Sequence, residues 1–286
     1  MKVIIAEEAG FCFGVKRALK LINRLYREGH QIQIWGPLIH NQTVLDDLAA
    51  KGIGSISSIR QIDRRKTLVI RSHGIPKELE AKLKSDQVRY IDATCPLVKR
   101  GQQIIGRFDQ RKTKIVIVGD RHHPEIIAAQ SYCRGATVIN SLAEAEVLPF
   151  SKRMTVVAQT TLDVEFFNSI ITVLLEKAER LEIFNTICQA TKVRQNAVKK
   201  LAPRVDCVVV VGGRNSSNTK KLIDIARREN KNILHIETSS ELAEQKTVRK
   251  IKKFTSIGIT AGASTPPEEI ERVKKFLVKL KVKKET

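Results

Sequence analysis

No stretch of this 286-residue chain approaches the roughly 18 unbroken apolar residues that a membrane-spanning helix needs. The opening residues, Met1 to Ile5, read as a strand. They have neither the apolar core nor the cleavage site of a signal peptide, so a cytoplasmic setting is expected. Aromatic residues are scarce, at 5%, and are not interleaved with basic ones as on RNA-binding surfaces. Acidic residues are outnumbered 30 to 51 by Lys and Arg, which leaves a net charge of +21. Such an excess suits nucleic acid, an acidic protein, an anionic substrate or a solvated lysine-rich surface. With so few aromatics, nucleic-acid binding is disfavoured as the main function, and much of the charge falls on helix faces and in the tail Lys274 to Lys284. No C-x-x-C pair occurs among the five cysteines, and an odd number without an export signal argues against a disulfide framework. No Pro/Gly/Ser-rich linker breaks the chain, so its modules should pack tightly.

What the chain does have is rhythm. Short β-branched runs alternate with helical patterns from end to end, as at Lys2 to Ile5, Thr67 to Ile70, Lys114 to Val118 and Cys207 to Val211, with helices such as Leu162 to Ala178 and Pro267 to Leu280 between and after them. Strand then helix, repeated, is the pattern of parallel α/β sheets. Three cysteines punctuate it. Cys12 precedes the helical run Val15 to Arg27, Cys95 precedes Leu97 to Phe108 with Pro96 suited to the first helical position, and Cys188 precedes Ala190 to Leu201. The free amides and partial positive charge of a helix start favour a thiolate, the metal-binding form. The three lie 83 and 93 residues apart. This spacing suggests three similar α/β modules, 13–95, 96–187 and 188–286, with strand 1–12 returning to join the third. By their residues alone the three thiols are equally compatible with a metal site and with structural roles, whereas Cys207 inside an apolar strand and Cys133 without a partner motif read as small hydrophobes.

Ligands of open α/β sheets bind beyond the carboxyl ends of the strands. Here those ends carry His40-Asn41, Ser72-His73-Gly74, His122-His123-Pro124-Glu125, Gln159-Thr160-Thr161, Asn215-Ser216-Ser217-Asn218 and Ala263-Ser264. Four of the six histidines fall in this set. Each residue alone has a plain structural reading, an N-cap for Ser216 and a dipole-complementing first-turn position for Glu125. Together they describe a cavity of imidazole, hydroxyl and amide donors with a helix start at Ser216 to Asn218, suited to a phosphate or diphosphate. A glutamate among donors that face an anion is repelled unless it carries a proton, which makes Glu125 a candidate proton donor.

Nine collinear motifs then point one way. Ala9-Gly10-Phe11-Cys12-Phe13-Gly14-Val15, Gly36-Pro37-Leu38-Ile39-His40-Asn41, Ser72-His73-Gly74, Asp92-Ala93-Thr94-Cys95-Pro96-Leu97-Val98, His123-Pro124-Glu125, Gln159-Thr160-Thr161, Thr186-Ile187-Cys188-Gln189-Ala190-Thr191, Asn215-Ser216-Ser217-Asn218 and Thr260-Ala261-Gly262-Ala263-Ser264 resemble those of the 4-hydroxy-3-methylbut-2-enyl diphosphate reductase family. The resemblance implies three α/β modules in a pseudo-threefold trefoil around a central 4Fe-4S cluster held by Cys12, Cys95 and Cys188. It further implies that His40, His73, Ser216, Ser217, Asn218 and Ser264 bind the substrate diphosphate, with His123 in the pocket and Glu125 and Thr160 at the hydroxyl end. The implied reaction uses two electrons and two protons to remove the hydroxyl as water through an allyl anion-like species. Isopentenyl and dimethylallyl diphosphates result, the last step of the non-mevalonate isoprenoid route, with a ferredoxin or flavodoxin as electron donor. Three stretches depart from the family pattern: Lys99 to Gln102, Arg121-His122, and Ile126 to Ala129. None removes an implied ligand, but they bear on pocket shape near Glu125. A quinolinate synthase-like iron–sulfur enzyme shares the three-cysteine layout without the motifs, and a basic nucleic-acid-binding protein is the reading from another class.

Overall fold

The computed structural model describes residues 1–111 and 113–280. The end of the basic tail, 281–284, and with it the close of the third expected module, lies outside the described residues. Chain order begins with β1 (Lys2–Ile5) and α1 (Phe13–Arg27). Then β2 (Ile32–Trp35), α2 (Gln42–Ala50), β3 (Gly54–Ile56), β4 (Thr67–Ile70), α3 (Lys77–Ser85) and β5 (Tyr90–Asp92) supply a sheet ordered β3-β2-β4-β5. Next, α4 (Pro96–Asp109), β6 (Lys114–Val118), α5 (Pro124–Gln130), β7 (Thr137–Ile139), α6 (Leu142–Glu146), β8 (Ser151–Ala158), α7 (Val164–Leu175) and β9 (Ala178–Phe184) supply a second, ordered β7-β6-β8-β9. Finally α8 (Gln189–Leu201), β10 (Cys207–Val211), α9 (Ser217–Glu229), β11 (Ile233–Ile236), α10 (Gln245–Ile251), β12 (Ser256–Ala261) and α11 (Pro267–Lys279) combine with β1 into a third, ordered β11-β10-β12-β1. All strand pairs in the three sheets are parallel. The fold is therefore three four-stranded parallel α/β modules that share one strand order.

The chain forms two compact units. The first comprises Met1–Val15, Ile39–Asp46 and the chain from Gln189 onward, and contains the β11-β10-β12-β1 sheet. The second comprises Lys16–Leu38 and Asp47–Cys188 and contains the other two sheets.

Strands of a parallel sheet are covered on both faces, so they read as unbroken apolar runs. β10 illustrates this in the first unit: Val208 and Val210 pack with Val198, Leu222 and Ile225 of α8 and α9, while Val209 and Val211 pack on the other face with Val273 and Leu277 of α11. In the second unit β6 does the same, Val116 and Val118 joining Phe167 and Ile170 of α7, and Ile115 and Ile117 joining Ile105, Phe108 and Ile126 of α4 and α5. Among the described residues no helix is long and apolar enough to cross a membrane.

Two local expectations change. The helix expected over Leu162 to Ala178 begins after Asp163, whose carboxylate caps the Glu165 and Phe166 amides, and stops at Leu175. Residues from Ala178 onward leave it to pair with β8 as an edge strand. The short β3 was not expected, because three residues that start with glycine carry too little pattern to be read as a strand.

Candidate active site

The three cysteines cluster in type, not in sequence. Each is partly exposed and immediately ahead of a helix, Cys12 before α1, Cys95 as the N-cap of α4 with Pro96 behind it, and Cys188 before α8. The Val15 amide points at Cys12 Sγ, 3.5 Å away. Burial pushes the other two thiols, Cys133 and Cys207, up to about 11, which keeps them protonated and unsuited to metal. The donor chemistry thus separates three accessible thiols at helix starts from two inert ones, and the first three suit an iron–sulfur group.

The backbone around each of these thiols repeats. Cys12 N donates to Ala263 O (3.0 Å), next to Ser264; Cys95 N donates to Ser72 O (2.9 Å), next to His73; Cys188 N donates to Thr160 O (2.9 Å). Each of these three cysteines is therefore pinned to the strand-end loop that carries a residue of the implied pocket.

Within the second unit, β6 ends at Val118 and turns through Gly119 into the short helix α5. Gly119 is obligatory, since a Cβ there would stand 2.8 Å from Cβ and Oε1 of Gln159. That approach lets Gln159 Oε1 accept from Asp120 N (2.9 Å) and its Nε2 donate to Thr161 Oγ1 (3.1 Å), which locks the two loops together. His123 caps α5 by accepting from Glu125 N through Nδ1 (3.2 Å), and its ring meets His73 edge-on, centroids 5.2 Å apart. Glu125 is 5% exposed. Thr160 holds both its oxygens: the amide donates to Oε1 and the hydroxyl to Oε2, each at 2.7 Å. Burial raises the Glu125 pKa, and the two Thr160 hydrogen bonds, which favour the carboxylate, oppose that rise without cancelling it. The unit thus brings His73, His123, Glu125 and Thr160 into one linked set.

Within the first unit, His40 and Ser264 meet, Ser264 Oγ donating to His40 O at 3.2 Å. Gly213 is pressed onto the same carbonyl, where a Cβ would lie 2.4 Å from it. The loop then enters α9, capped by Ser216, whose Oγ accepts from Thr219 N (3.3 Å). Asn218, 4% exposed, buries an Nδ2 that meets no hydrogen-bond partner among the described residues. A buried amide donor without a partner at a helix start suits an anion oxygen. Ser217 lies at the first position of the same helix.

Against this geometry, a family model for LytB protein matches residues 3–278. The chain belongs to the LytB family. A LytB relative from Caldanaerobacter subterraneus subsp. tengcongensis, a 4-hydroxy-3-methylbut-2-enyl diphosphate reductase, is 42% identical, with 98% of each chain covered. The enzyme of the same name from Clostridioides difficile is 39% identical over 98% of this chain and all of its own. Among solved structures, one of (E)-4-hydroxy-3-methyl-but-2-enyl diphosphate reductase, the terminal enzyme of the non-mevalonate pathway, shares 40% identity at a TM-score of 0.69, covering 96% of this chain and 98% of its own. The Plasmodium falciparum E-1-hydroxy-2-methyl-but-2-enyl-4-diphosphate reductase shares 26% identity at a TM-score of 0.90, covering 96% and 87%. These matches do not favour the quinolinate synthase-like or the nucleic-acid-binding reading.

The departures from the family pattern settle into local roles. Arg121 pairs with Glu144, Lys99 pairs with Asp92, and Ile126, Ala128 and Ala129 are buried while Ile127 is exposed. Gln102 is buried against Gly74, where a Cβ would lie 2.9 Å from its Nε2. Sequence reasoning missed the bridging role of Gln159. It also missed two arginines, Arg17 and Arg194, because an arginine inside an amphipathic helix carries no local signal that separates a buried tether from a surface charge.

Proposed function

We propose that this chain catalyses the reductive dehydroxylation of 4-hydroxy-3-methylbut-2-enyl diphosphate to isopentenyl and dimethylallyl diphosphates, the closing step of the non-mevalonate isoprenoid route. The observation that carries the mechanism is the buried Glu125 carboxyl, gripped at both oxygens by Thr160 in the set with His123 and His73. Cys12, Cys95 and Cys188 would hold one 4Fe-4S cluster, which when bound would supply electrons and Lewis acidity. The chain's residues do the rest. His40, His73, Ser216, Ser217, Asn218 and Ser264 bind the diphosphate, with the buried Asn218 amide and the α9 start as anion donors. His123 and Thr160 orient the hydroxyl end. Glu125, whose hold on its proton is strengthened by burial, gives that proton to the departing oxygen, so the hydroxyl leaves as water. The Thr160 hydroxyl can donate to the carboxylate or accept from the acid, so one contact serves both protonation states. Two electrons and a second proton complete the balance at the allylic carbon.

The electrons come from a ferredoxin or flavodoxin, an acidic carrier complementary to the +21 chain, and the protein works in the cytoplasm. The test is anaerobic: protein reconstituted with iron and sulfide is mixed with a reduced viologen dye and the substrate. Substrate-dependent dye oxidation with both five-carbon diphosphates as products is expected. A cluster that forms while the dye stays reduced would overturn the assignment.

A further inference from the structure

Two arginines outside the proposed pocket are bonded to the loops that present the thiols. Arg194 of α8 is 2% exposed and donates through Nη2 to Gly10 O (2.6 Å) and through Nη1 to Ala190 O (2.9 Å). Gly10, two residues before Cys12, adopts φ +96, and a Cβ there would stand 3.0 Å from Ile270 Cδ1 and 3.3 Å from Thr265 O. The bend is thus reserved for glycine and fixed by the guanidinium on one side and the Cys12 N to Ala263 O bond on the other. In the second unit, Arg17 of α1 donates through Nη1 to Thr94 O (3.1 Å) and Ala93 O (3.4 Å), immediately ahead of Cys95.

The two links follow one pattern. The helix that follows Cys12 carries the arginine that grips the Cys95 loop, and the helix that follows Cys188 carries the arginine that grips the Cys12 loop. A tether that only stiffened the fold has no reason to fall twice on the loop of the next cysteine. At Arg194 the side chain required is also specific: its rigid fork serves Gly10 O through Nη2 and Ala190 O through Nη1, whereas Lys is a point charge on a flexible stem. Ordering a loop costs chain entropy at every residue, and a loop ordered beforehand leaves more of the metal–thiolate energy as affinity.

We propose that Arg17 and Arg194 are positioning residues that hold the Cys95 and Cys12 loops in ligating shape before metal arrives, so that the iron–sulfur group is captured and retained by prepared thiols. The inference rests on the reading of these cysteines as ligands.

The test follows iron release to a chelator from the reconstituted full chain, with the electron paramagnetic resonance spectrum of the reduced protein and the melting temperature recorded alongside. Asn230→Ala is the control, because Asn230 Nδ2 bridges two carbonyls in the same manner, Ala202 O (2.9 Å) and Val205 O (2.7 Å), at the strand-start edge of the sheet that carries the Cys12 loop at its other edge. Arg194→Met and Arg17→Met should release iron at least about tenfold faster than wild type with an altered spectrum. Arg194→Lys should fall between, and Asn230→Ala should release at the wild-type rate even where its melting temperature drops equally. If Arg194→Met does not fold, Arg194→Lys and Arg17→Met carry the comparison. Arginine variants that hold iron like wild type, or a control that sheds it as fast, overturn the clamp alone. A Cys12→Ala variant that keeps its iron like wild type overturns the ligand reading and the clamp with it.

Discussion

Glu125 shows what a single residue can and cannot announce. Its place after His123-Pro124 marked it as the carboxylate among donors, and a helix-dipole role was equally open. What the sequence could not reveal was that Thr160, 35 positions on, would grip both its oxygens while leaving it 5% exposed. That burial sets a pH dependence. The folded carboxyl binds its proton more tightly than the unfolded chain, whose group titrates near the ordinary 4.5. Stability therefore falls as pH rises through the window between 4.5 and the raised folded value, since there the native state holds the extra proton. Glu125→Gln removes the titrating group. The stability difference between Glu125→Gln and wild type should grow in favour of the variant as pH rises from about 4 and then level off. Urea midpoints across pH measure this, and a constant difference would contradict it.

At the scale of elements, legibility followed pattern strength. The buried β4 and β10, and β6 beyond Lys114, are visible as apolar runs because helices cover both faces. β3 is short and exposed, and α7 ends without a Gly or Pro, with only Glu176 and Lys177 between it and β9. Such boundaries are decided by pairing with β8 rather than by local preference. Close approach between elements is equally invisible in a sequence. Gly213, between β10 and α9, leaves no room for a methyl group against the His40 carbonyl, a backbone atom that cannot swing aside. Gly213→Ala should cost about 1–3 kcal/mol and raise KM more than it lowers kcat, because His40 and the α9 start are displaced together. Denaturation and steady-state kinetics would show it; an unchanged KM would count against the pairing of His40 with α9 in diphosphate binding.

For the whole molecule, three parallel α/β modules were legible from three cysteines and a strand–helix rhythm, whereas the strand order that the three sheets share was not, because the alternation does not say on which side of a strand the next one pairs. The side-chain tethers between loops were not, because they join residues as far apart as Gly10 and Arg194. Net charge acts at this scale too. With +21 spread over the chain, turnover with an acidic ferredoxin or flavodoxin should fall steeply as ionic strength rises toward about 0.5 M, while turnover with a small dye falls little. Equal salt dependence for both donors would remove electrostatic steering from the account. The central claim, that the chain is a reductive dehydroxylase whose buried carboxyl protonates the leaving hydroxyl, meets its most direct measurement in Glu125→Gln. With the cluster loaded as in wild type, turnover of 4-hydroxy-3-methylbut-2-enyl diphosphate should drop by about 10²–10⁴-fold while substrate affinity stays within about threefold. A Glu125→Gln protein that turns over substrate at the wild-type rate would contradict it.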